Sequence, residues 1–362
     1  MVQSIRLLAL ILALLVSHSA SAQQPQASES PGAESVGEGP SERPAPRVRR
    51  RRFDPPAGPL PLADVRLRDV CILADKESQT YYMIGSRGPR VWQYTSRDLR
   101  TWDGPEVIYE APDDAWGDIA VRSIWAPELL AYRGNYYLFL TFDTGHLLPE
   151  QWRNWRPRVT RGSTILKSDS PTGPFTSFQS RSTPPTDMMT LDGTLYVEDG
   201  KPYMVFCHEW VQITVGTIEY VPLADDLSRA IGEPVRLFSA DQAPWPHRGG
   251  EGGYVTDGPS FYRSKSGKLF MIWSSFAGGG YTTGLAISDS GKLAGPWRHQ
   301  AEPLYTDDGG HGFLFTTLEG KLMMVLHSPN NQPGVTRPRI FELEDTGETL
   351  RIEKEFTGAD PS

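Results

Sequence analysis

Cysteine is nearly absent from this sequence, and its scarcity bounds the kind of protein that the chain can encode. The 362 residues contain two cysteines, Cys71 and Cys207. A small exported domain held together by disulfide bonds needs more cysteines in a shorter chain. A disulfide framework is therefore not expected here.

Helical periodicity, common catalytic motifs and excess positive charge are missing as well. No segment after residue 60 carries a long apolar stripe with the 3.6-residue period of a helix. The sequence contains no G-x-S-x-G, P-loop, HExxH or CxxC motif, so the usual signatures of several enzyme classes are absent. With 36 Lys and Arg against 44 Asp and Glu, the net charge is −8, and nucleic acid is not an expected partner.

The first 22 residues have the form of an export signal. Arg6 precedes an apolar run at Leu7–Val16, and Ala20, Ser21 and Ala22 supply the small residues of a cleavage site. The apolar run is too short to cross a bilayer as a helix. We therefore predict a secreted or periplasmic protein without membrane insertion.

Residues 23–58 are rich in Pro, Ser, Glu and Gly and contain little that could be buried. Such a composition predicts a disordered linker ahead of a folded domain at residues 59–362. The linker includes four consecutive arginines, Arg49–Arg52. This run could bind a polyanion or a membrane surface, but a solvated charge run is the more common outcome.

Five related segments recur through the rest of the chain: RDVCIL, WAPELL, LDGTLYVEDGKPY, TDGPSFY and GHGFLF. Their lead residues, Asp69, Glu128, Asp192, Asp257 and His311, lie 59, 64, 65 and 54 positions apart. A repeat of this size, made of several short strands, is typical of a propeller blade. The pattern predicts an all-β, five-bladed β-propeller whose lead residues face an axial funnel.

The repeat also places the cysteines and two long insertions. Cys71 and Cys207 fall in the first and third units, which are not neighbours in a five-fold ring, so we expect buried free thiols. The insertions at Asp143–Gly162 and Ser239–Tyr254 should lie on the face where the strands end at the funnel. Long loops on one face usually shape a binding site.

The ordered set R-D, W-A-P-E, D-G with D-G-K-x-Y, x-G-P-x-x-Y and G-H-G resembles glycoside hydrolase family 43 across residues 60–356. The resemblance implies a five-bladed propeller that cleaves furanosides or xylosides with inversion and without a required cofactor. It also implies that Asp69 is the general base and that Asp192 is a third carboxylate that orients the acid and raises its pKa. Inverting hydrolysis needs a base and an acid about 6.5–9.5 Å apart, which residues on first strands of opposed blades can provide.

The general acid is the position at which the sequence departs from the family pattern. The family has Glu before Gly-Pro, whereas this chain has Asp257, whose side chain is one methylene shorter. Glu209, in the segment Cys207–Trp210, and Glu251, in a glycine-rich loop, could compensate. Asp257 is the first choice and Glu209 the second.

Five further residues are candidate substrate contacts. Trp125 offers a flat apolar face for a sugar ring, although core packing is equally consistent with its position. Glu128 accompanies it in WAPE, and His208 and Arg337 could contact sugar hydroxyls. His311 resembles the central histidine of the family, beside which a Ca²⁺ ion could bind, although a lone histidine is more often a core residue.

These observations predict a secreted, inverting exo-glycosidase that acts on oligo- or polysaccharide. Arabinofuranoside or galactofuranoside linkages are favoured, with xyloside next. A noncatalytic carbohydrate-binding propeller is the alternative, because the expected Glu is replaced. A protein-interaction propeller of the WD or kelch kind is the third possibility and predicts no clustered carboxylates at the axis.

Overall fold

The computed structural model describes residues 54–249 and 252–358. Within these ranges the chain forms five antiparallel sheets, and their innermost strands contact one another in sequence around a common axis. The fold is the five-bladed β-propeller that the repeat predicts. The predicted signal peptide (residues 1–22) and residues 23–53 of the predicted linker lie outside the described residues.

The first two blades are formed by the first nine strands. Blade 1 contains β1 (Leu60–Pro61), β2 (Cys71–Asp75), β3 (Thr80–Arg87), β4 (Arg90–Ser96) and β5 (Thr101–Glu110), in the spatial order β1-β5-β4-β3-β2. Blade 2 contains β6 (Val121–Tyr132), β7 (Asn135–Leu147), β8 (Val159–Ser168) and β9 (Thr176–Ser177).

The other three blades have four strands each, in chain order from the axis outward. Blade 3 contains β10 (Thr190–Glu198), β11 (Lys201–His208), β12 (Thr217–Pro222) and β13 (Val235–Ser239). Blade 4 contains β14 (Asp257–Arg263), β15 (Leu269–Ala277), β16 (Gly280–Ser288) and β17 (Trp297–His299). Blade 5 contains β18 (Gly310–Thr316), β19 (Leu322–Ser328), β20 (Arg337–Asp345) and β21 (Leu350–Phe356).

Helical structure in the described ranges is limited to single turns. These are two 3₁₀ turns at Leu62–Asp64 and Ala240–Gln242 and one α-helical turn, α1, at Trp210–Ile213. None of the helices in this part of the chain is long and apolar enough to cross a membrane.

The sequence pattern misses the outer strands of the first two blades. The segment Thr101–Glu110 contains Asp103, Gly104 and Pro105, which are typical of a turn, yet it pairs along β4. Proline is tolerated there because an outer strand leaves some of its N–H groups unpaired. Sheet order, rather than composition, decides the conformation of this segment.

The core consists of five apolar layers, each between two neighbouring blades. One layer joins blades 1 and 2, and corresponding layers fill the other gaps around the ring. Cys71 and Cys207 are buried free thiols within two of these layers, as predicted. The hydrophobic effect therefore holds neighbouring blades together, and polar side chains occupy the axis.

One backbone feature repeats at the axial end of every inner strand. Asp69, Ala126, Asp192, Gly258 and His311 have positive φ angles of 47°, 42°, 55°, 54° and 52°. In blades 2 to 5 this residue lies in a β-bulge that shifts the pairing with the second strand. The structural repeat therefore corrects two predicted lead positions: Ala126 replaces Glu128, and Gly258 replaces Asp257.

The bulge residues are tied to the preceding blade by a recurring hydrogen bond. The backbone N–H of Asp192 donates to Thr141 Oγ1 at 3.0 Å, and that of His311 donates to Ser274 Oγ at 2.9 Å. The N–H of Asp69 lies 3.3 Å from His327 Nδ1. Thr141, Ser274 and His327 each lie on the second strand of the blade before, so the positions of the axial side chains depend on the whole ring.

Cys207 occupies the corresponding acceptor position in blade 3, since it pairs with Leu191 as Thr141 pairs with Trp125. The N–H of Gly258 donates instead to the carboxylate Oδ2 of Asp192 at 2.9 Å. This exception joins the lead residues of blades 3 and 4 directly.

The ring closes between blades 1 and 5 without a shared sheet, because the first strand, β1, and the last strand, β21, belong to different sheets. Tyr81 of β3 is buried at this seam, where its hydroxyl accepts from Leu318 N and donates to Glu319 Oε2, both at 3.0 Å. Residues before the predicted domain boundary also contribute, since Pro55 is buried and Pro56 O accepts a hydrogen bond from Tyr94. Pro55 and Pro56, at the end of the predicted linker, therefore contact the folded domain.

Replacing Tyr81 with Phe tests the polar part of this seam. The variant leaves Leu318 N–H without its acceptor, and we expect the free energy of unfolding to fall by about 1–3 kcal/mol. Urea denaturation measures the change. Tyr132→Phe is the matched control, because the Tyr132 hydroxyl is buried without a hydrogen-bond partner. Equal losses in the two variants would show that the seam hydrogen bonds contribute nothing specific.

Candidate active site

A pocket of about 870 Å³ opens at the axial end of the inner strands. Every blade contributes to its lining through Asp69, Trp125, Asp192, Asp257 and His311. The insertion after Asp143 forms part of the wall, as predicted, through residues that include Leu147, Pro157 and Arg161. The aspartates of blades 1, 3 and 4 therefore share one pocket, which a WD- or kelch-type interaction propeller does not predict.

Asp69 is held in its ionised form by two histidines. Its Oδ1 lies 3.1 Å from His327 Nδ1 and 3.9 Å from His311 Nδ1. Burial alone would raise the pKa of Asp69, but the charges of His311 and His327, the hydrogen bond from His327 and nearby Arg68 hold the pKa well below its usual range. The side chain keeps a quarter of its surface exposed to the pocket, so water can reach this anion.

Asp192 has the opposite electrostatic setting. It is 7% exposed, and its Oδ2 accepts from Gly258 N and lies 3.7 Å from His311 Nδ1. Burial raises the pKa of Asp192 to about 8; the Gly258 hydrogen bond opposes this change, and the nearby charges of Asp69 and Glu209 reinforce it. Because His311 lies against both Asp69 and Asp192, the two carboxylates are close enough to oppose each other's ionisation.

Glycine at position 258 favours this contact. An added Cβ would lie 3.2 Å from the His311 Cα and ring, so the absence of a side chain permits the close approach. In the sequence Asp-Gly-Pro, Asp257 therefore supplies a carboxyl group, and Gly258 allows blades 4 and 5 to approach closely.

Asp257 precedes the bulge and lines the pocket beside these groups. Its Oδ2 accepts a hydrogen bond from the Tyr281 hydroxyl at 2.8 Å. Burial and the charge of Asp192 raise the pKa of Asp257 to about 7, with His311 and Tyr281 opposing. A carboxyl that is partly protonated near neutral pH and faces the same pocket as an ionised carboxylate is suited to act as a general acid.

Glu209 is engaged differently. Both of its oxygens accept from Arg161 Nη1, with a distance of 2.6 Å to Oε1, and Arg161 also pairs with Asp143 at 2.6 Å. Burial raises the pKa of Glu209, while the charge and hydrogen bonds of Arg161 oppose that rise. The guanidinium group also lies 4.0 Å from the centroid of the Trp125 ring. Both oxygens of Glu209 are occupied by Arg161, so Glu209 is better suited to position Arg161 and Trp125 than to act as a proton donor.

The structure does not bring every predicted contact to the pocket. Glu128 is buried two residues past the bulge and accepts from Thr194, and burial raises its pKa to about 8. His208 contacts Gln212 at 2.9 Å and Glu219 at 3.4 Å, outside the pocket lining. Arg337 lines a separate cleft with Arg66 and Asp307. The interpretation of these three as substrate contacts is therefore not supported.

Three residues that the sequence interpretation omits are part of the site: His327 beside Asp69, Tyr281 beside Asp257, and Arg161 beside Glu209. They come from second and third strands, which carry no motif of the repeat. Glu251, the remaining candidate acid, lies outside the described residues.

A Ca²⁺ ion beside His311 would require six to eight oxygen ligands. Within residues 54–249 and 252–358 no cluster of three or more His, Cys, Asp or Glu side chains is arranged to hold a metal. The described side chains near His311 therefore do not by themselves supply the ligands of a calcium ion.

A family model described as "Glycosyl hydrolases family 43" matches residues 59–354. The chain belongs to glycosyl hydrolase family 43. A search of curated proteins found no match. This family 43 chain is similar to a solved structure of an endo-arabinase from Bacteroides thetaiotaomicron VPI-5482, with 40% identity, a TM-score of 0.70, and coverage of 79% of this chain and 96% of that one.

Two more distant solved structures share the fold. An α-L-arabinofuranosidase from Lactobacillus brevis is 19% identical, with a TM-score of 0.62 and coverage of 82% of this chain and 96% of that one. An exo-1,5-α-L-arabinanase from a bovine ruminal metagenomic library is 18% identical, with a TM-score of 0.59 and coverage of 82% and 99%. Membership of family 43 makes this protein a glycoside hydrolase and excludes a purely protein-binding propeller.

Asp192→Asn should make the protein more stable than wild type, by an amount that grows as pH rises. In wild type the folded-state pKa of about 8 exceeds the unfolded value of about 3.9, so stability is lost between those values as pH increases. Asn is nearly isosteric, can still accept from Gly258 N and does not titrate. We expect the variant's advantage in free energy of unfolding to be larger at pH 8 than at pH 4, as measured by urea denaturation. If the advantage does not change with pH, the pKa of Asp192 is not raised in the folded protein.

Proposed function

We propose that this protein is an inverting hydrolase of α-L-arabinofuranosyl linkages in arabinose-containing polysaccharide. The observation that carries the mechanism is the opposite electrostatic setting of Asp69 and Asp257 within one pocket. The substrate class is supported by the 40% identical endo-arabinase. Secretion, predicted from residues 1–22, is part of the proposal.

In the proposed reaction Asp69 removes a proton from a water molecule as its oxygen attacks the anomeric carbon. At the same time Asp257 gives its proton to the glycosidic oxygen, and the bond between that oxygen and the anomeric carbon breaks. One water is consumed, and the attacking oxygen enters opposite the leaving group, so the configuration inverts. Afterwards Asp69 returns its proton to solvent and Asp257 regains one.

Asp192 and Tyr281 prepare the acid. Asp192 raises the pKa of Asp257 by like-charge proximity, and Tyr281 donates to Oδ2 of Asp257. Because Oδ2 is occupied as an acceptor, the acidic proton is directed to Oδ1. This hydrogen bond offers a physical means by which the shorter Asp side chain can be held in a productive orientation.

Substitution of the carboxylates tests the assignment of base and acid. Asp69→Asn should reduce hydrolysis of every arabinofuranoside by about 10²–10⁴-fold, since no group would activate water. Asp257→Asn should cause a similar loss on arabino-oligosaccharides but a much smaller loss on a dinitrophenyl arabinofuranoside, whose leaving group needs no proton.

Glu209→Gln is the matched comparison for the acid. If Glu209→Gln, rather than Asp257→Asn, shows this dependence on the leaving group, the acid has been assigned to the wrong residue. Unchanged hydrolysis in Asp69→Asn would instead support the noncatalytic carbohydrate-binding alternative. NMR of the first-formed product identifies its anomer, and the chain lengths of products separate exo from endo cleavage.

The pH profile tests the role of Tyr281. Activity requires protonated Asp257, so kcat/KM should fall as pH rises through about 7, whereas ionised Asp69 preserves activity far into the acid range. The Tyr281 hydrogen bond stabilises the Asp257 anion, so Tyr281→Phe should raise the pKa and move the alkaline limb to higher pH. A lower rate with an unmoved alkaline limb would indicate a merely structural role for Tyr281.

A further inference from the structure

Three tryptophans extend from the pocket rim onto the surface of the protein. Trp210 of α1 lines the pocket, and its ring centroid lies 5.6 Å from that of Trp155. Trp155 lies 6.1 Å from Trp152, which is 39% exposed. These three residues, called here the tryptophan file, form a continuous aromatic path that leads away from the carboxylates.

The outermost ring is held in a fixed orientation. The guanidinium group of Arg158 lies 3.4 Å from the centroid of Trp152, and Arg158 is only 2% exposed. Arg158 is fixed by Glu150 at 3.2 Å and by the carbonyl of Gln212. A buried cation thus covers one face of Trp152, and the exposed area belongs to the edges and the opposite face.

The inner rings are fixed as well. Trp155 donates from Nε1 to Val211 O at 2.7 Å and packs with Trp210 on the buried cluster of Val159, Met189 and Val211. Gly253 lies against the Trp210 ring, where an added Cβ would lie 2.0 Å from Cε3. A rigid, partly exposed aromatic surface beside a polar pocket is typical of a ligand-binding surface, because exposing apolar area has no benefit for folding.

We propose that the tryptophan file is a distal subsite that binds furanosyl residues of the same polysaccharide chain whose linkage lies in the pocket. The inference rests on the proposed function and adds to it a site for the polymer beyond the bond that is cleaved. The file is continuous with the pocket through Trp210, and its flat rings can pack against the apolar faces of sugar rings. One extended polysaccharide chain would then occupy the pocket and the tryptophan file at the same time.

Two guanidinium groups near the file are paired with carboxylates. Arg158 pairs with Glu150, and Arg161 pairs with both Glu209 and Asp143. The guanidinium group of Arg156 lies 5.4 Å from the centroid of the Trp210 ring. The choice of a neutral polymer, arabinan, follows from the proposed function.

Hydrolysis of linear arabinan and of nitrophenyl arabinofuranoside by Trp152→Ala tests the proposal. The ratio of kcat/KM for the polymer to kcat/KM for the aryl glycoside should fall about tenfold, mainly through a higher KM for arabinan. Trp152→Phe, which keeps a ring, should recover most of the ratio. Phe178→Ala is the control, since Phe178 is similarly exposed at 36% but lines a different cleft. An unchanged ratio in Trp152→Ala would overturn the distal subsite.

Binding without turnover separates this inference from the proposed function. Full-length Asp69→Asn should be retarded in affinity electrophoresis through arabinan, and Asp69→Asn combined with Trp152→Ala should be retarded much less. Equal retardation of the two proteins would overturn the distal subsite while leaving the proposed substrate intact. If arabinan retards neither protein, the proposed substrate fails and the subsite fails with it. Salt-sensitive retardation by polygalacturonate instead would show that an acidic polymer is the ligand and would overturn the neutral one.

Discussion

The attachment of the axial residues Asp69, Asp192 and His311 to the preceding blade is the constraint on which the site depends. Asp69, Asp192 and His311 all have positive φ angles, a conformation that costs on the order of 1–3 kcal/mol in a residue other than glycine. Their partners are His327, Thr141 and Ser274, each on a neighbouring sheet. Because no blade could hold its own axial residue in this way, the pocket is a property of the closed ring.

The electrostatics of the pocket follow from that closeness. Asp69, Asp192 and Asp257 surround one imidazole, and the charge of Asp69 opposes ionisation of Asp192 and Asp257. Two histidines favour the anion at Asp69, while burial favours the protonated form at the other two. A difference in surroundings therefore gives three chemically similar side chains different states at the same pH.

The repeat in the sequence predicts the number of blades, the funnel and the positions of Asp69, Asp192 and His311, since these residues are part of the repeated unit. It misplaces the repeat in blades 2 and 4 because a bulge changes register without changing composition. Tyr281, Arg161 and His327 could not be identified, because which residues of a second or third strand reach the axis depends on strand register and length. His208 and Arg337 have plausible side chains but point to other parts of the fold.

The seam between the first and last blades has a further consequence for how this enzyme loses activity. His327 belongs to blade 5 and Asp69 to blade 1, so the contact that keeps Asp69, the proposed base, ionised crosses the point at which the chain closes on itself. Separation of these two blades would leave most sheets intact and yet remove the partner of Asp69. Activity therefore depends on the contact between blades 1 and 5, and inactivation can precede the loss of secondary structure.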